Sequence, residues 1–126
     1  MNNRFQLDFQ HDFVVHYTAS SVRFSNKQIT HWKNMVLHFK LSRDMFPLYE
    51  VFGVGESLLK HHTIPFFIKG TLCINGSFQF VKQHISKVAS NQVSYSCKLS
   101  KDIREITAQG EDAKCQLLCE KIVIVV

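Results

Sequence analysis

The sequence contains no apolar segment long enough to cross a bilayer. A transmembrane helix needs roughly 18 or more consecutive apolar residues, and the C-terminal stretch 122–126, IVIVV, falls far short of that length. The start, MNNRFQLDFQHD, is polar and no apolar run follows it, so we expect no secretory signal. These absences argue against a membrane-spanning or secreted protein.

Cysteine is also scarce, and acidic residues are few. In a chain without a secretory signal we expect the cysteines to be reduced, which favours the cytosol or the nucleus; they are Cys73, Cys97, Cys115 and Cys119. The 10 acidic residues are scattered, so a hydrolase built on paired carboxylates has no support. The sequence has no glycine-rich loop of the kind that binds phosphate.

The composition is that of one folded unit. With 126 residues, 45% hydrophobic and 20% charged, the chain predicts a single globular domain over residues 1–126 with a core that needs no disulfides. The net charge of +5 permits weak attraction to nucleic acid or to acidic partners. The basic residues are spread along the chain, so an ordinary solvated surface is the simpler interpretation.

Apolar and polar residues alternate along much of the chain, which is typical of half-buried β-strands. The alternation predicts strands near residues 5–9, 13–17, 22–24, 35–41, 49–54, 64–80, 93–99 and 113–119. No segment sustains a period of 3.6 residues, and 101–107 is expected to form one helical turn at most. About eight to ten short strands in one small domain predict a β-sandwich, a jelly roll or a barrel.

The stretch 64–80, IPFFIKGTLCINGSFQF, predicts a β-hairpin at the centre of the fold. The Asn75-Gly76 pair is typical of a type I′ turn, and both flanking runs are rich in aromatic and β-branched residues. Both faces of the first strand are partly apolar, so the hairpin is expected to lie centrally, with Phe66 on its more apolar face.

The register of this hairpin is left open by the sequence. A two-residue turn would place Phe78 beside Cys73, whereas a three-residue loop would place it beside Ile74, which suits apolar clustering better. The turn chemistry and the burial pattern therefore favour different registers.

Metal-binding patterns are incomplete. Cys115 and Cys119 would lie about 13 Å apart on a strand, too far for one zinc ion, so both are interpreted as small core residues. Gly55 and His61 fit the start of a cupin metal motif. Thr63 and Ser94, however, stand where that motif needs histidines, so no metal is expected.

Catalytic patterns are also absent. No Ser-His-Asp or Cys-His order can be recognised from one sequence. Four histidines stand singly and are interpreted as ordinary surface or hydrogen-bonded residues; they are His16, His31, His38 and His84.

The run 76–99, GSFQFVKQHISKVASNQVSYSCKL, with IPFFIKGTLCI before it and AKCQLLCEKI after it, resembles the C-terminal cupin domain of the CENP-C family of kinetochore proteins. The resemblance covers about half of the chain. Its features are the Phe66-Phe67 pair, Gly70, the apolar strand 72–74, the loop 88–91 and the alternating strand 95–99.

The chain also departs from that family. Ala89 and Asn91 stand where the family usually has Pro and Gly. The Arg-rich, Trp-containing nucleosome-binding motif is absent, so the resemblance does not imply nucleosome binding.

The resemblance implies an all-β, cupin-like jelly roll without metal or other cofactor, and without enzymatic activity. It implies a homodimer that recruits other centromere proteins, including assembly factors for the centromeric histone, at the centromere or kinetochore in the nucleus. The double-faced hairpin strand and the apolar tail independently favour self-association. The predicted dimer or partner interface comprises Phe66, Phe67, Ile68, Leu72, Phe78, Phe80, Ile122 and Ile124.

Two other classes of function remain as alternatives. A small OB-fold-like barrel could bind single-stranded nucleic acid by stacking bases on Phe side chains beside Lys and Arg. A small-molecule-binding or catalytic cupin is the second alternative.

Overall fold

The computed structural model describes residues 11–42, 48–73, 75–85, 92–101 and 103–125. These residues form eight β-strands. The strands are β1 (Asp12–Arg23), β2 (Ile29–Ser42), β3 (Leu48–Leu59), β4 (His62–Cys73), β5 (Phe78–His84), β6 (Gln92–Lys101), β7 (Glu105–Gln109) and β8 (Ala113–Val125).

The eight strands close into one antiparallel barrel in sequential order. Each strand pairs with its neighbour in sequence, and β1 also pairs with β8 to close the sheet. The all-β prediction is therefore confirmed. The finer prediction of a cupin-like jelly roll is not confirmed, because a jelly roll is built from Greek keys and these strands run up and down. The OB fold, a five-stranded Greek-key barrel, also differs from this order.

Every second side chain along the strands points into the barrel, because successive residues of a strand face opposite sides of the sheet. In β1, for example, Phe13, Val15 and Tyr17 are buried while the residues between them are not. An eight-stranded barrel has an interior just wide enough for side chains to fill. The predicted alternation therefore produces a packed core.

One end of the barrel, here called the aromatic end, is closed by stacked rings. Phe13 stacks on Phe39 with ring centroids 4.8 Å apart, and Tyr49 meets Phe13 edge-on at 5.1 Å. The Tyr49 hydroxyl donates a hydrogen bond to the carbonyl of His11. The hydroxyl of Tyr17 donates to the carbonyl of Ile103. These aromatic groups have their polar atoms satisfied, as buried hydroxyls require.

The opposite end, here called the polar end, lies where β1 turns into β2, β3 into β4 and β7 into β8. Its inward-facing side chains include the buried polar residues Ser21, Ser57 and Lys82. The barrel is therefore apolar at one end and polar at the other.

The central hairpin forms with a different turn from the one predicted. A type I′ turn needs a positive φ at both Asn75 and Gly76. Gly76 has a φ of +88°, but Asn75 is not among the described residues with a positive φ, so the type I′ prediction is wrong. The Gly76 N–H donates to the carbonyl of Cys73, and the Cys73 N–H donates to the carbonyl of Ser77. This pattern gives a three-residue loop with glycine in the left-handed region.

The register that results matches neither of the two predicted. Phe78 lies opposite Leu72, and Phe80 lies opposite Gly70. Both Phe residues face the interior, as the apolar clustering required. A Cβ at Gly70 would lie 2.6 Å from the Phe80 Cβ, so only glycine leaves room for this close approach.

Two further predictions have a plain outcome. The strand near 5–9 lies outside the described residues. At 101–107 the sequence predicts one helical turn at most, and the structure has β7 beginning at Glu105 and pairing with both β6 and β8. A strand forms here because its backbone groups hydrogen-bond to both neighbouring strands.

The adjacent residues Phe66 and Phe67 give a direct test of the barrel. Phe66 is fully buried and Phe67 is 41% exposed. Phe66→Ala is expected to lower the free energy of unfolding by about 3–5 kcal/mol, because it removes buried surface and leaves a cavity. Phe67→Ala is expected to cost less than about 1 kcal/mol. Urea unfolding followed by circular dichroism measures both, and equal costs would contradict the inward placement of Phe66.

Candidate functional site

A cavity of 210 Å³ opens at the polar end of the barrel. Side chains from β1, β2, β3, β5, β6 and β8 line it, among them Trp32, Ser57, Lys82, His84 and Tyr95. Its position follows from the fold, because the inward-facing residues near these strand ends converge there. The volume corresponds to about seven water molecules at roughly 30 Å³ each, so the cavity suits a small molecule.

Three polar side chains form a hydrogen-bonded chain at this cavity. The Lys82 Nζ donates to Ser57 Oγ at 2.9 Å, and Ser57 Oγ lies 3.0 Å from His84 Nε2. Ser57 is brought to Lys82 because it faces inward near the end of β3. His84 follows Lys82 by two residues on β5 and therefore shares its face.

Aromatic rings surround the Lys82 amino group. Its Nζ lies 4.0 Å from the centroid of the Trp32 ring and 4.5 Å from that of Phe66. Both distances are within the range of cation–π attraction. Trp32 is itself held by edge-on contacts with Phe66 and Tyr95, at 5.4 and 5.8 Å. The amino group is therefore rigidly positioned.

Lys82 is only 5% exposed, and no carboxylate of the described residues forms an ion pair with it. Charged side chains are seldom buried so deeply without an opposite charge. Desolvation by burial lowers the Lys82 pKa to about 8, and the electrostatic interaction with Cys115 opposes this shift. A larger fraction of this amine is therefore neutral near physiological pH than in a lysine exposed to water, although the charged form still predominates below about pH 8.

The titratable groups that face Lys82 respond to the same burial. The pKa of His84 is lowered, first by burial and then by the Lys82 charge, so its imidazole is neutral near pH 7. Burial raises the pKa of Tyr95 and of Cys115, which keeps the phenol and the thiol protonated. For Cys115, interactions with Ser21 and Tyr95 partly offset the effect of burial on the pKa.

The rim of the cavity carries an ion pair. Arg23 Nε lies 4.0 Å from Asp112 Oδ2, and Ser25 donates to the same carboxylate from its N–H and its hydroxyl. These contacts connect the β1–β2 turn to the residues just before β8. The rim is consequently formed by residues at the end of β1 and at the start of β8, where these two strands pair.

The structure separates the eight residues predicted to form an interface. Five lie inside the barrel and are at most 2% exposed: Phe66, Ile68, Leu72, Phe78 and Phe80. These five form core, not surface. Phe67 is 41% exposed, Ile124 is 55% exposed, and Ile122 packs partly against the core. Phe67 lies on the outer face of β4, whereas Ile124 on β8 pairs with the inward-facing Phe13 at the aromatic end, so the two residues do not share a surface.

Phe67 belongs to a surface that we call the outer apolar patch, formed by Val36, Phe52, Val54 and Phe67. Val54 lies opposite both Val36 and Phe67 in the sheet. Val54 is 55% exposed and Phe52 is 45% exposed, with the His38 ring stacked on Phe52 at 5.1 Å. A groove of 590 Å³ runs over this part of β3 and β4.

The sequence interpretation missed Lys82, Ser57 and Trp32, although a signal was present. In β5 the inward positions read Phe78, Phe80 and Lys82, so a lysine occupies a position where the alternation calls for an apolar residue. His84 was interpreted as a surface or hydrogen-bonded histidine, and the structure places it in the hydrogen-bonded chain. Cys115 is buried, as expected of a small core residue.

The described residues contain no group of three or more His, Cys, Asp or Glu side chains placed to hold a metal ion. None of their segments forms a helix that could cross a membrane.

Comparisons of the chain with protein-family models, with curated proteins and with solved structures found no match.

The buried Lys82 predicts a specific dependence of stability on pH. Because folding lowers its pKa from 10.5 to about 8, the unfolded chain binds more protons than the folded chain between these values. The contribution of Lys82 to the free energy of unfolding therefore rises with pH across this window. Lys82→Met should relieve the penalty, with a stabilisation about 2 kcal/mol larger at pH 7 than at pH 10.

Urea unfolding at the two pH values measures this difference. Lys69→Met, which removes an exposed lysine from β4, is the matched control for loss of a positive charge. A Lys82→Met effect that does not change with pH would contradict the burial of the charge.

Proposed function

We propose that the protein is a small-ligand-binding barrel whose polar end binds a small organic anion. The proposal is carried by the buried Lys82 amino group. This group faces the cavity and forms no ion pair with a carboxylate of the described residues. An anion that reaches Lys82 would provide the missing opposite charge. Charge-assisted hydrogen bonds of this kind are among the stronger polar interactions.

The cavity indicates the size and shape of the ligand. A volume of 210 Å³ accommodates a molecule the size of benzoate, and the Trp32 and Tyr95 rings offer apolar surface beside Lys82. A carboxylate on a flat apolar molecule is favoured, because the carboxylate can accept a hydrogen bond from Lys82 while the flat body of the ligand contacts the Trp32 and Tyr95 rings. This function requires binding only and is compatible with a protein that is not an enzyme.

Benzoate binding tests this function. We expect Lys82→Met to weaken binding at least about tenfold, because a hydrogen bond to a charged group contributes about 1.5–3 kcal/mol. Affinity should also fall as the pH is raised through about 8, where Lys82 loses its charge. Isothermal titration calorimetry measures both effects.

Lys69→Met is again the control and should bind benzoate as the natural sequence does. Binding that is unchanged in Lys82→Met would contradict the proposed role of Lys82.

A second function, self-association, is favoured by the outer apolar patch. The four residues of the patch are uncharged, and the groove over them is lined by one charge of each sign, Glu50 and Lys69. Two copies can therefore meet there without an excess of like charge, despite a net charge of +5. A second copy of the chain is therefore the proposed occupant, through a two-fold contact. The recruitment of centromere proteins and the nuclear, chromosomal location implied by the CENP-C resemblance stay proposals attached to this second function.

Phe67→Lys tests self-association. Placing a like charge at the centre of a two-fold apolar contact is expected to weaken the dimer at least about tenfold. Val123→Lys, at an exposed position of β8 four strands from β4, should leave the dimer intact. Sedimentation equilibrium over a range of micromolar concentrations measures both variants, and a natural chain that stays monomeric would eliminate this second function.

A further inference from the structure

We propose that Lys82 is a nucleophilic amine that forms an imine with small aldehydes entering the cavity at the polar end of the barrel. The inference rests on the proposed function in one respect, since the same cavity must admit a small molecule. It goes further in assigning a covalent chemistry to Lys82 and a proton-transfer role to Ser57 and His84.

The hydrogen-bonded chain gives a path for the proton that the amine must lose. A protonated lysine only donates hydrogen bonds, so at 2.9 Å the oxygen of Ser57 accepts from Lys82. The hydroxyl hydrogen of Ser57 is then free to point to His84 Nε2, 3.0 Å away. Ser57 thereby connects the amine to an imidazole that can accept a proton.

The surroundings favour the neutral amine, which is the nucleophile. Trp32 and Phe66 cover Lys82 without offering a full negative charge, and no described carboxylate pairs with it. Desolvation is one of the two ways in which proteins activate a lysine for attack on carbonyl compounds. The lowered pKa of about 8 agrees with this geometry.

His84 is suited to be the proton acceptor. It is half-buried at the edge of the cavity, and its pKa is lowered by burial and by the Lys82 charge. The imidazole is therefore neutral near pH 7 and can take a proton that Ser57 passes from Lys82. In this arrangement Lys82 is the reacting group, and Ser57 and His84 are positioning and proton-transfer residues.

The proposed reaction is balanced without an external oxidant or reductant. The nitrogen lone pair of Lys82 adds to the carbonyl carbon of the aldehyde, and the π electrons of the C=O bond move to its oxygen, which takes up a proton. The resulting carbinolamine loses the second N–H proton and its hydroxyl group as water while the C=N bond forms. One aldehyde and one amine thus give one imine and one water.

The cavity limits the substrate class. With 210 Å³ available, small aldehydes such as propionaldehyde or benzaldehyde fit, whereas large or branched aldehydes do not. Exposed lysines such as Lys69 and Lys114 carry no such size limit. Selectivity by size therefore distinguishes Lys82 from surface lysines.

Reductive trapping tests the inference. The protein is incubated with benzaldehyde and sodium cyanoborohydride at pH 7.5, and the modified lysines are quantified by peptide mass spectrometry. Lys82 should be labelled at least about tenfold faster than Lys69, because far more of its amine is neutral at this pH. The rate at Lys82 should level off above about pH 8.

Variants separate the roles of the three residues. Lys82→Arg keeps the positive charge but cannot form the imine, and should lose the label at this position while labelling of Lys69 continues. His84→Gln should slow the labelling of Lys82 about tenfold or more and change its pH profile. Ser57→Ala should slow it similarly, and circular dichroism checks that each variant is folded.

The inference is overturned if Lys82 is labelled no faster than Lys69, or if the His84→Gln rate and pH profile equal those of the natural sequence. Benzoate binding with no imine would overturn this inference alone and leave the proposed function standing. If neither benzoate binding nor imine formation is observed, the inference and the proposed function are both overturned, since the cavity would then admit no ligand.

Discussion

The enclosure of the Lys82 amino group inside a small β-barrel is the constraint on which the polar end depends. An ammonium group taken out of water loses hydration that hydrogen bonds and aromatic faces replace only in part. In this barrel Ser57 lies within hydrogen-bond distance of Lys82 Nζ, and two aromatic rings lie over the same nitrogen. The desolvation cost that remains lowers the pKa of Lys82. The same desolvation favours the neutral amine, which is the nucleophile in the proposed chemistry.

The two ends of the barrel differ in their side chains: one end is packed core, and the other carries the candidate site. At the aromatic end, stacked rings and satisfied hydroxyls fill the interior and leave the polar atoms with partners. At the polar end, the strand ends bring Ser57, Lys82 and His84 together around a cavity. A rigid packed core at one end holds the strands whose other ends carry the site, which is how barrels commonly position binding groups.

The outer surface offers a separate route to function. Val54 and Phe67 pair across β3 and β4 on the outside of the barrel, while the inward-facing Phe66 of the same strand contacts Lys82. Adjacent residues of β4 therefore belong to different surfaces, so the proposed ligand binding at the polar end and the proposed association through the outer apolar patch can be tested independently. This independence follows from the two-residue period of a strand.

The sequence by itself determined the class of the fold and most of the core, because alternation is a local property that can be recognised residue by residue. It predicted strands at 13–17, 35–41 and 93–99, and the structure has strands there. The position of Lys82 on β5, at an inward-facing place in an apolar alternation, was also present in the sequence as a signal. Local pattern could not, however, tell whether the strands form Greek keys or an up-and-down barrel.

Only the tertiary structure decided which side chains meet. Ser57 and Lys82 are 25 residues apart and come together because closure of the barrel brings the ends of β3 and β5 to one cavity. Closure likewise placed Phe78 and Phe80 in the core, and it left Phe67 on the outer face while Ile124 pairs with the inward-facing Phe13. These outcomes depend on strand order and register, which are set by pairing between distant parts of the chain and not by any single segment.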